Sequence, residues 1–283
     1  PFPTRGSADL NRKMGVLDGL ETTLKNCRLY YQWHRKEEAD APTVLLLHGW
    51  GCDSSIFSFI ENGLSEGASV LSVDFPGHGK SGDPPEPWGV PDYAEQIALL
   101  LDELSLPKVD VVAHSFGGRV ALWLASHHPE RVERLVITGG AGIRKPVSDS
   151  QKKRQARFKR LNRCCNTLKK VPFLKGWMER LQDRLRRKYG SPDYYKLNEV
   201  MRGTFVKVVN QDLLPLLPSI AAPTLLIWGS DDTETPLWMG QQMEKQIPDA
   251  ALIVFEGRSH FAFIEEWQRF LLIIKEFFLG GSK

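Results

Sequence analysis

Val109-Asp110-Val111-Val112-Ala113-His114-Ser115-Phe116-Gly117-Gly118 is a run whose apolar pattern changes at Ser115. Up to His114 it is almost continuously apolar, as in a strand covered on both faces, and from Phe116 to His127 the apolar residues recur at helical spacing. A serine hydroxyl is a poor nucleophile unless it is exposed on a tight turn beside a base. Ala113 and Gly117 flank Ser115 with small side chains, which such a turn requires because a branched Cβ on either side would collide with backbone. Strand, small-x-Ser-x-Gly and helix in that order read as a nucleophile elbow. Taken alone, the same run also fits a strand-end serine capping the next helix, so the rest of the chain has to decide.

Three further segments fall in the order that the elbow demands. Thr43-Val44-Leu45-Leu46-Leu47 is a buried strand that runs into the glycine-rich turn His48-Gly49-Trp50-Gly51. Tetrahedral acyl transfer places negative charge on the former carbonyl oxygen, and the N–H groups of Trp50 and Phe116 are the expected oxyanion donors. Pro223-Thr224-Leu225-Leu226-Ile227-Trp228-Gly229 is another buried strand, and it leads into Ser230-Asp231-Asp232-Thr233-Glu234-Thr235-Pro236, where an acid can orient an imidazole. Finally, Ala251-Leu252-Ile253-Val254-Phe255-Glu256-Gly257 reaches Arg258-Ser259-His260 on a loop before the last helix.

Together these segments resemble the α/β-hydrolase superfamily, in particular its capped, cofactor-free, esterase-like members, over roughly residues 27–279. The resemblance implies that Ser115 is the nucleophile, His260 the general acid/base, and Asp232 the carboxylate that holds the imidazole in its tautomer. Asp232 is preferred to Asp231 because Gly229, Asp232 and Pro236 fit the family's Gly-x-x-Asp spacing with a Pro four residues on. Val73-Asp74-Phe75-Pro76-Gly77-His78-Gly79-Lys80-Ser81 matches the family's turn after the fourth strand, a structural turn, which leaves His78 outside the chemistry. The departures are Ala113 for glycine, and Ala262 and Trp267 where prolines are usual. None removes a functional group. Dehalogenase and epoxide-hydrolase chemistry would need a carboxylate at the elbow, where this chain has Ser115.

The remaining histidines have local explanations. His48 is expected to satisfy backbone groups beside the oxyanion turn, and His114 to pack or touch ligand. His127 and His128 precede Pro129 at a helix end, where the dipole favours a cation. His48, Gly49, His114, Trp177 and Phe261 form the candidate substrate pocket, and neither a cofactor nor a metal site is expected. Cys27, Cys52, Cys164 and Cys165 show no Cys-x-x-Cys pair or disulfide framework, which points to a reducing cytoplasm. Cys52, two residues after Trp50, reads as a small buried side chain, with lining of the active site as the alternative.

Strands are predicted near residues 43–48, 69–74, 109–114, 134–139, 223–229 and 251–256 after an N-terminal hairpin near 16–34. Helices are predicted near 54–64, 91–105, 116–127, 235–247 and 262–279. This alternation predicts an α/β fold: a mostly parallel central sheet with helices on both faces and ligands at the carboxyl edge of the strands. Residues 14–143 and 213–283 would form the core, with 144–212 as an inserted helical cap. Residues 1–13, ahead of Met14, read as an appended remnant or disordered tail. The 283 residues, 42% of them hydrophobic, furnish a large core, and no run of 18 apolar residues suggests a membrane span.

Charge is segregated. Arg144 to Tyr189 carries 17 Lys and Arg against Asp149, Glu179 and Asp183, whereas the whole chain is only +3. Phe158, Leu161, Cys165 and Leu168 form one helical stripe in this stretch, and Met178, Leu181 and Leu185 another, by which the cap is expected to pack onto the mouth of the site. Its basic faces suit an anionic acyl substrate, an acidic carrier protein or an anionic surface. Phe173, Leu174 and Trp177 with nearby lysines would serve membrane-surface contact, and no nucleic-acid motif is present. The HGWG turn and basic cap are similar to those of carrier-protein methyl ester hydrolases of biotin synthesis. The leading expectation is a serine hydrolase of esters or thioesters acting through an acyl-enzyme. The alternatives are a C–C bond hydrolase or lyase using the same triad, and a non-catalytic ligand-binding receptor.

Overall fold

The structure, a computed structural model, describes residues 19–38, 41–145, 149–168, 171, 174–189, 194 and 197–280. The expectations for residues 1–13, for the start of the hairpin before residue 19 and for Phe173 fall outside these residues.

Eight strands form one sheet: β1 (Leu20–Leu24), β2 (Cys27–His34), β3 (Thr43–Leu47), β4 (Ser69–Asp74), β5 (Val109–His114), β6 (Val132–Thr138), β7 (Thr224–Gly229) and β8 (Ala250–Phe255), in the order β1-β2-β4-β3-β5-β6-β7-β8. β1 and β2 pair antiparallel, as do β2 and β4, and every other pairing is parallel. The β1–β2 hairpin turns through Lys25 and Asn26, both left-handed at φ 49° and 56°, the geometry that two-residue hairpin turns require and that asparagine tolerates well.

Every residue of β3, β4, β5 and β7 is buried, and alternate residues feed opposite layers. Leu45, Leu47, Val111, Ala113, Ile137 and Trp228 join the layer under α2 (Val90–Glu103), α3 (Phe116–His127) and α7 (Trp238–Gln246). Val44, Leu46, Val112, Val136 and Ile227 join the layer under α1 (Ser58–Ser65), α8 (Ala262–Glu265) and α9 (Trp267–Leu279). Burial on both faces is why these strands read as continuous apolar runs.

Among the described residues, three inserted α-helices stand between β6 and β7, α4 (Asp149–Leu168), α5 (Lys175–Tyr189) and α6 (Glu199–Asn210). α4 and α5 pack on each other through buried Cys165, Met178 and Gln182, and Gln182 Nε2 donates to Asn162 Oδ1 at 3.0 Å. α6 is tied to the core. Asn198 caps it by accepting from Met201 N–H, Thr204 Oγ1 accepts from Trp88 N–H at 3.0 Å, and Asn198 Nδ2 donates to Asp83 at 2.6 Å. The expectation that the stripes of α4 and α5 cover the site is corrected here: Leu161 and Leu168 are exposed, and α6 instead supplies the roof. Of the two stripes, Cys165 and Met178 are buried where α4 and α5 meet. Among the described residues, no helix is long and apolar enough to cross a membrane.

Candidate active site

β5 ends at His114, α3 begins at Phe116, and Ser115 bridges them at φ 50° and ψ −107°. A non-glycine residue held there costs on the order of 1–3 kcal/mol. The backbone around it enforces the turn: Ser115 N–H donates to Thr138 O at 3.2 Å, while Ser115 O accepts from Gly118 and Ala141 N–H, both at 3.0 Å. Gly117 has no alternative, since a Cβ at that position would lie 2.1 Å from Leu47 O, a backbone atom. Ala113, by contrast, lies inside β5 with its methyl in the core, so alanine there is compatible with the elbow.

His260 Nε2 lies 3.0 Å from Ser115 Oγ, and His260 Nδ1 lies 2.8 Å from Asp232 Oδ2. Asp232 is buried and its second oxygen accepts from the N–H groups of Glu234 (2.9 Å) and Thr235 (2.8 Å). Burial pushes the carboxyl's pKa up, but the His260 N–H and charge and the Thr235 donors outweigh it, and the net shift is downward. Asp232 is therefore held as a carboxylate. Asp231 is exposed and faces Ser230 instead. Sequence reasoning missed Thr235, whose hydroxyl lies 2.8 Å from Asp232 Oδ2, 2.9 Å from Gly139 O and 3.2 Å from His260 Nδ1. Its place one turn beyond the acid was the available signal.

The N–H of Trp50, in the turn after β3, and that of Phe116, at the start of α3, take no acceptor among the described residues. The Trp50 ring is gripped by His78, Phe116 and Phe205 at centroid distances of 4.8, 5.4 and 5.3 Å. His78 thus buttresses the turn. His48 does not line the cavity, contrary to its place among the pocket candidates. It is fully buried, its Nδ1–H donates to Gly49 O at 2.8 Å, and its Nε2 accepts from Phe75 N–H at 2.9 Å, which ties the oxyanion turn to the turn after β4. Burial holds its pKa down at about 4.

Gly49, His114 and Phe261 do line the cavity, whose volume is about 680 Å³. His114 Nδ1–H donates to Thr138 O at 3.0 Å and its buried Nε2 has no partner among the described residues. Burial, then the neighbouring His260, lower its pKa to about 3, so it is neutral. Trp177 is not brought to the site: it is 62% exposed on α5, and none of the described side chains of α5 lines the cavity. The apolar wall comes instead from Ile143, Phe205, Val208, Met239 and Phe261. Cys52 also lines the cavity rather than the core. Burial first, then the charges of Asp53 and Glu234, raise its thiol pKa, so it does not compete as a thiolate. Arg119, Arg144, Lys145 and Glu234 supply the charged part of the lining.

Residues 42–266 match the alpha/beta hydrolase fold family. The chain belongs to that family. The pimeloyl-[acyl-carrier protein] methyl ester esterase of Neisseria meningitidis is 28% identical over 89% of this chain and 99% of its own. The crystal structure of a hydrolase from Pseudomonas aeruginosa is similar at 25% identity and a TM-score of 0.70, covering 92% of this chain and 98% of that one. An esterase from Exiguobacterium antarcticum shares the fold, with a TM-score of 0.68 at 22% identity over 92% of this chain and 99% of that one. This α/β hydrolase thus has esterases among its homologues.

Proposed function

We propose that this α/β hydrolase cleaves carboxylic esters or thioesters through an acyl-enzyme formed on Ser115. The observation that carries the reading is the hydrogen-bonded row of Ser115 Oγ, His260 and Asp232, at 3.0 and 2.8 Å, in a cavity also lined by Trp50 and Phe116, whose N–H groups take no acceptor among the described residues. In this reading Ser115 Oγ attacks the carbonyl carbon while His260 Nε2 takes the hydroxyl proton, and Asp232 stabilises the imidazolium. The oxyanion is received by Trp50 and Phe116 N–H, each such donor contributing on the order of 10²–10³ in rate. His260 then returns its proton to the departing alkoxide or thiolate. Water, deprotonated by His260, attacks the acyl-enzyme and releases the acid and Ser115.

A carrier-linked or otherwise anionic substrate fits the cationic insertion. Lys153, Arg157, Lys159, Arg160 and Arg163 are exposed on α4, and the Neisseria relative is named for a carrier-protein ester.

The test is a burst of p-nitrophenol from a short-chain p-nitrophenyl ester together with fluorophosphonate labelling at Ser115. Ser115→Ala is expected to abolish labelling and lower kcat by roughly 10⁴–10⁶. A loss below tenfold overturns the reading. Cleavage of a vinylogous 1,5-diketone with no ester turnover would move the same triad to C–C bond hydrolysis.

A further inference from the structure

Arg119 has no duty in the hydrolytic cycle, yet its side chain lines the cavity. It lies on α3 four residues after Ser115, about 6 Å further along the helix axis, on the same face of the helix. Helical side chains lean toward the N-terminus, which carries the guanidinium back toward the serine. The residue is only 8% exposed. Of its five N–H donors, one Nη donates to Gln211 O at 2.8 Å, and no carboxylate of a described residue lies within 4 Å of it. Burial lowers its pKa to about 10, with the distant Asp212 acting the other way, so it stays charged at neutral pH. A buried cation with one neutral partner is costly to the fold, and its free donors suit a planar anion that accepts two parallel hydrogen bonds.

The rest of the charged lining is of mixed sign: Arg144, Lys145 and Glu234, with Lys145 Nζ donating at 3.2 Å to the O of Thr233, the residue before Glu234. Glu234 Oε2 lies 3.7 Å from His260 Nε2, the nitrogen that hands its proton to the leaving group. Arg144 and Lys145 are exposed, so among the described residues Arg119 is the buried cation of the lining.

We propose that Arg119 anchors a carboxylate at the far end of the acyl group, so that the substrates are short monoesters or monothioesters of dicarboxylic acids. The proposal rests on the reading of Ser115 as nucleophile and narrows it to a substrate class. The apolar wall of Ile143, Phe205 and Val208 houses the methylenes between the two ends, and the bidentate pair fixes the carbonyl against the oxyanion donors.

The experiment compares kcat/KM for monomethyl glutarate, which bears the free carboxylate, with that for dimethyl glutarate. The wild-type protein is expected to favour the monoester about ten- to a hundredfold, the usual worth of a charge-assisted hydrogen bond. Arg119→Gln should bring that ratio close to one, and Arg119→Lys should keep part of it. In parallel, calorimetry measures glutarate binding to the Ser115→Ala protein with and without Arg119→Gln, a readout that needs no turnover. A wild-type ratio near one, a ratio that Arg119→Gln leaves intact, or glutarate binding indifferent to Arg119 each overturns the proposal. Arg119-dependent glutarate binding in a protein that neither turns over esters nor labels at Ser115 sinks the hydrolase reading and leaves the carboxylate site standing.

Discussion

The Thr235 hydroxyl has one proton and three neighbours: Asp232 Oδ2, Gly139 O and His260 Nδ1. It can donate to one oxygen, or share between two, and it lies beside the His260 Nδ1–H that Asp232 accepts, so it steers both acid and imidazole without touching substrate. Thr235→Val keeps the shape and removes the hydroxyl. Hydrogen bonds to a charged group are worth about 1.5–3 kcal/mol, so kcat is expected to fall roughly ten- to a hundredfold with little change in KM, and Thr235→Ser to restore most of it. Steady-state kinetics on a p-nitrophenyl ester decides this, and an unchanged kcat in the valine variant removes the positioning role. Gly117 shows how hard the elbow presses on sequence, since its missing Cβ is the only reason that Leu47 O can sit where it does. The small residue after the serine was legible from turn sterics alone. Arg119 was not, because a cation on a helix usually faces solvent, and only the overlying Gln211 carbonyl and the cavity show that it does not.

At the level of elements, α6 couples the insertion to the oxyanion turn. Its Phe205 packs edge-on against Trp50, and Trp88 N–H and Asp83 fasten the helix to the core. Aromatic pairs of this kind contribute roughly 0.5–1.5 kcal/mol beyond the area they bury. Phe205→Ala is therefore expected to lower kcat/KM about three- to tenfold through looser placement of the Trp50 N–H, with Phe205→Leu in between. Equal values for all three proteins would separate the roof from the oxyanion turn. Element boundaries were partly legible. The helix predicted at 54–64 divides into a 3₁₀ turn at Ser54–Phe57, capped by Asp53, and α1, and the helix predicted at 262–279 breaks at Glu266. Apolar spacing does not register such breaks, because both halves present their apolar residues to the same sheet face.

For the molecule as a whole, acid is expected to weaken the fold through its buried histidines. His48 and His114 are neutral in the folded state with pKa values near 4 and 3, against about 6.5 in an unfolded chain. Above pH 6.5 neither state binds the protons and stability is at its full value. Below it the unfolded chain takes up protons that the folded one refuses, so stability drops continuously from pH 6.5 to about 4 and 3. The urea midpoint should therefore fall between pH 7.5 and 4.5, and His114→Asn should make that fall shallower; a midpoint independent of pH across this range contradicts it. Charge acts at the same scale. The basic α4–α5 pair belongs to a chain of net charge +3, so the proposed attraction of an acidic carrier-linked substrate is a surface effect screened within about 8–10 Å. Its kcat/KM should decrease as salt rises from low to physiological ionic strength, and a flat salt profile rules out steering.

The sequence by itself determined the sheet, the elbow, and the order of Ser115, Asp232 and His260 that the fold brings together, because each depends on a local property: apolar period, turn sterics, or a residue at a strand's carboxyl end. Only the tertiary structure decided which insertion helix roofs the cavity, that His48 braces a turn rather than lining the pocket, that Trp177 stays outside it, and that Arg119 enters it. Those outcomes depend on which distant chain segments occupy the space above each side chain, and spacing along one strand or helix carries no record of a neighbour a hundred residues away.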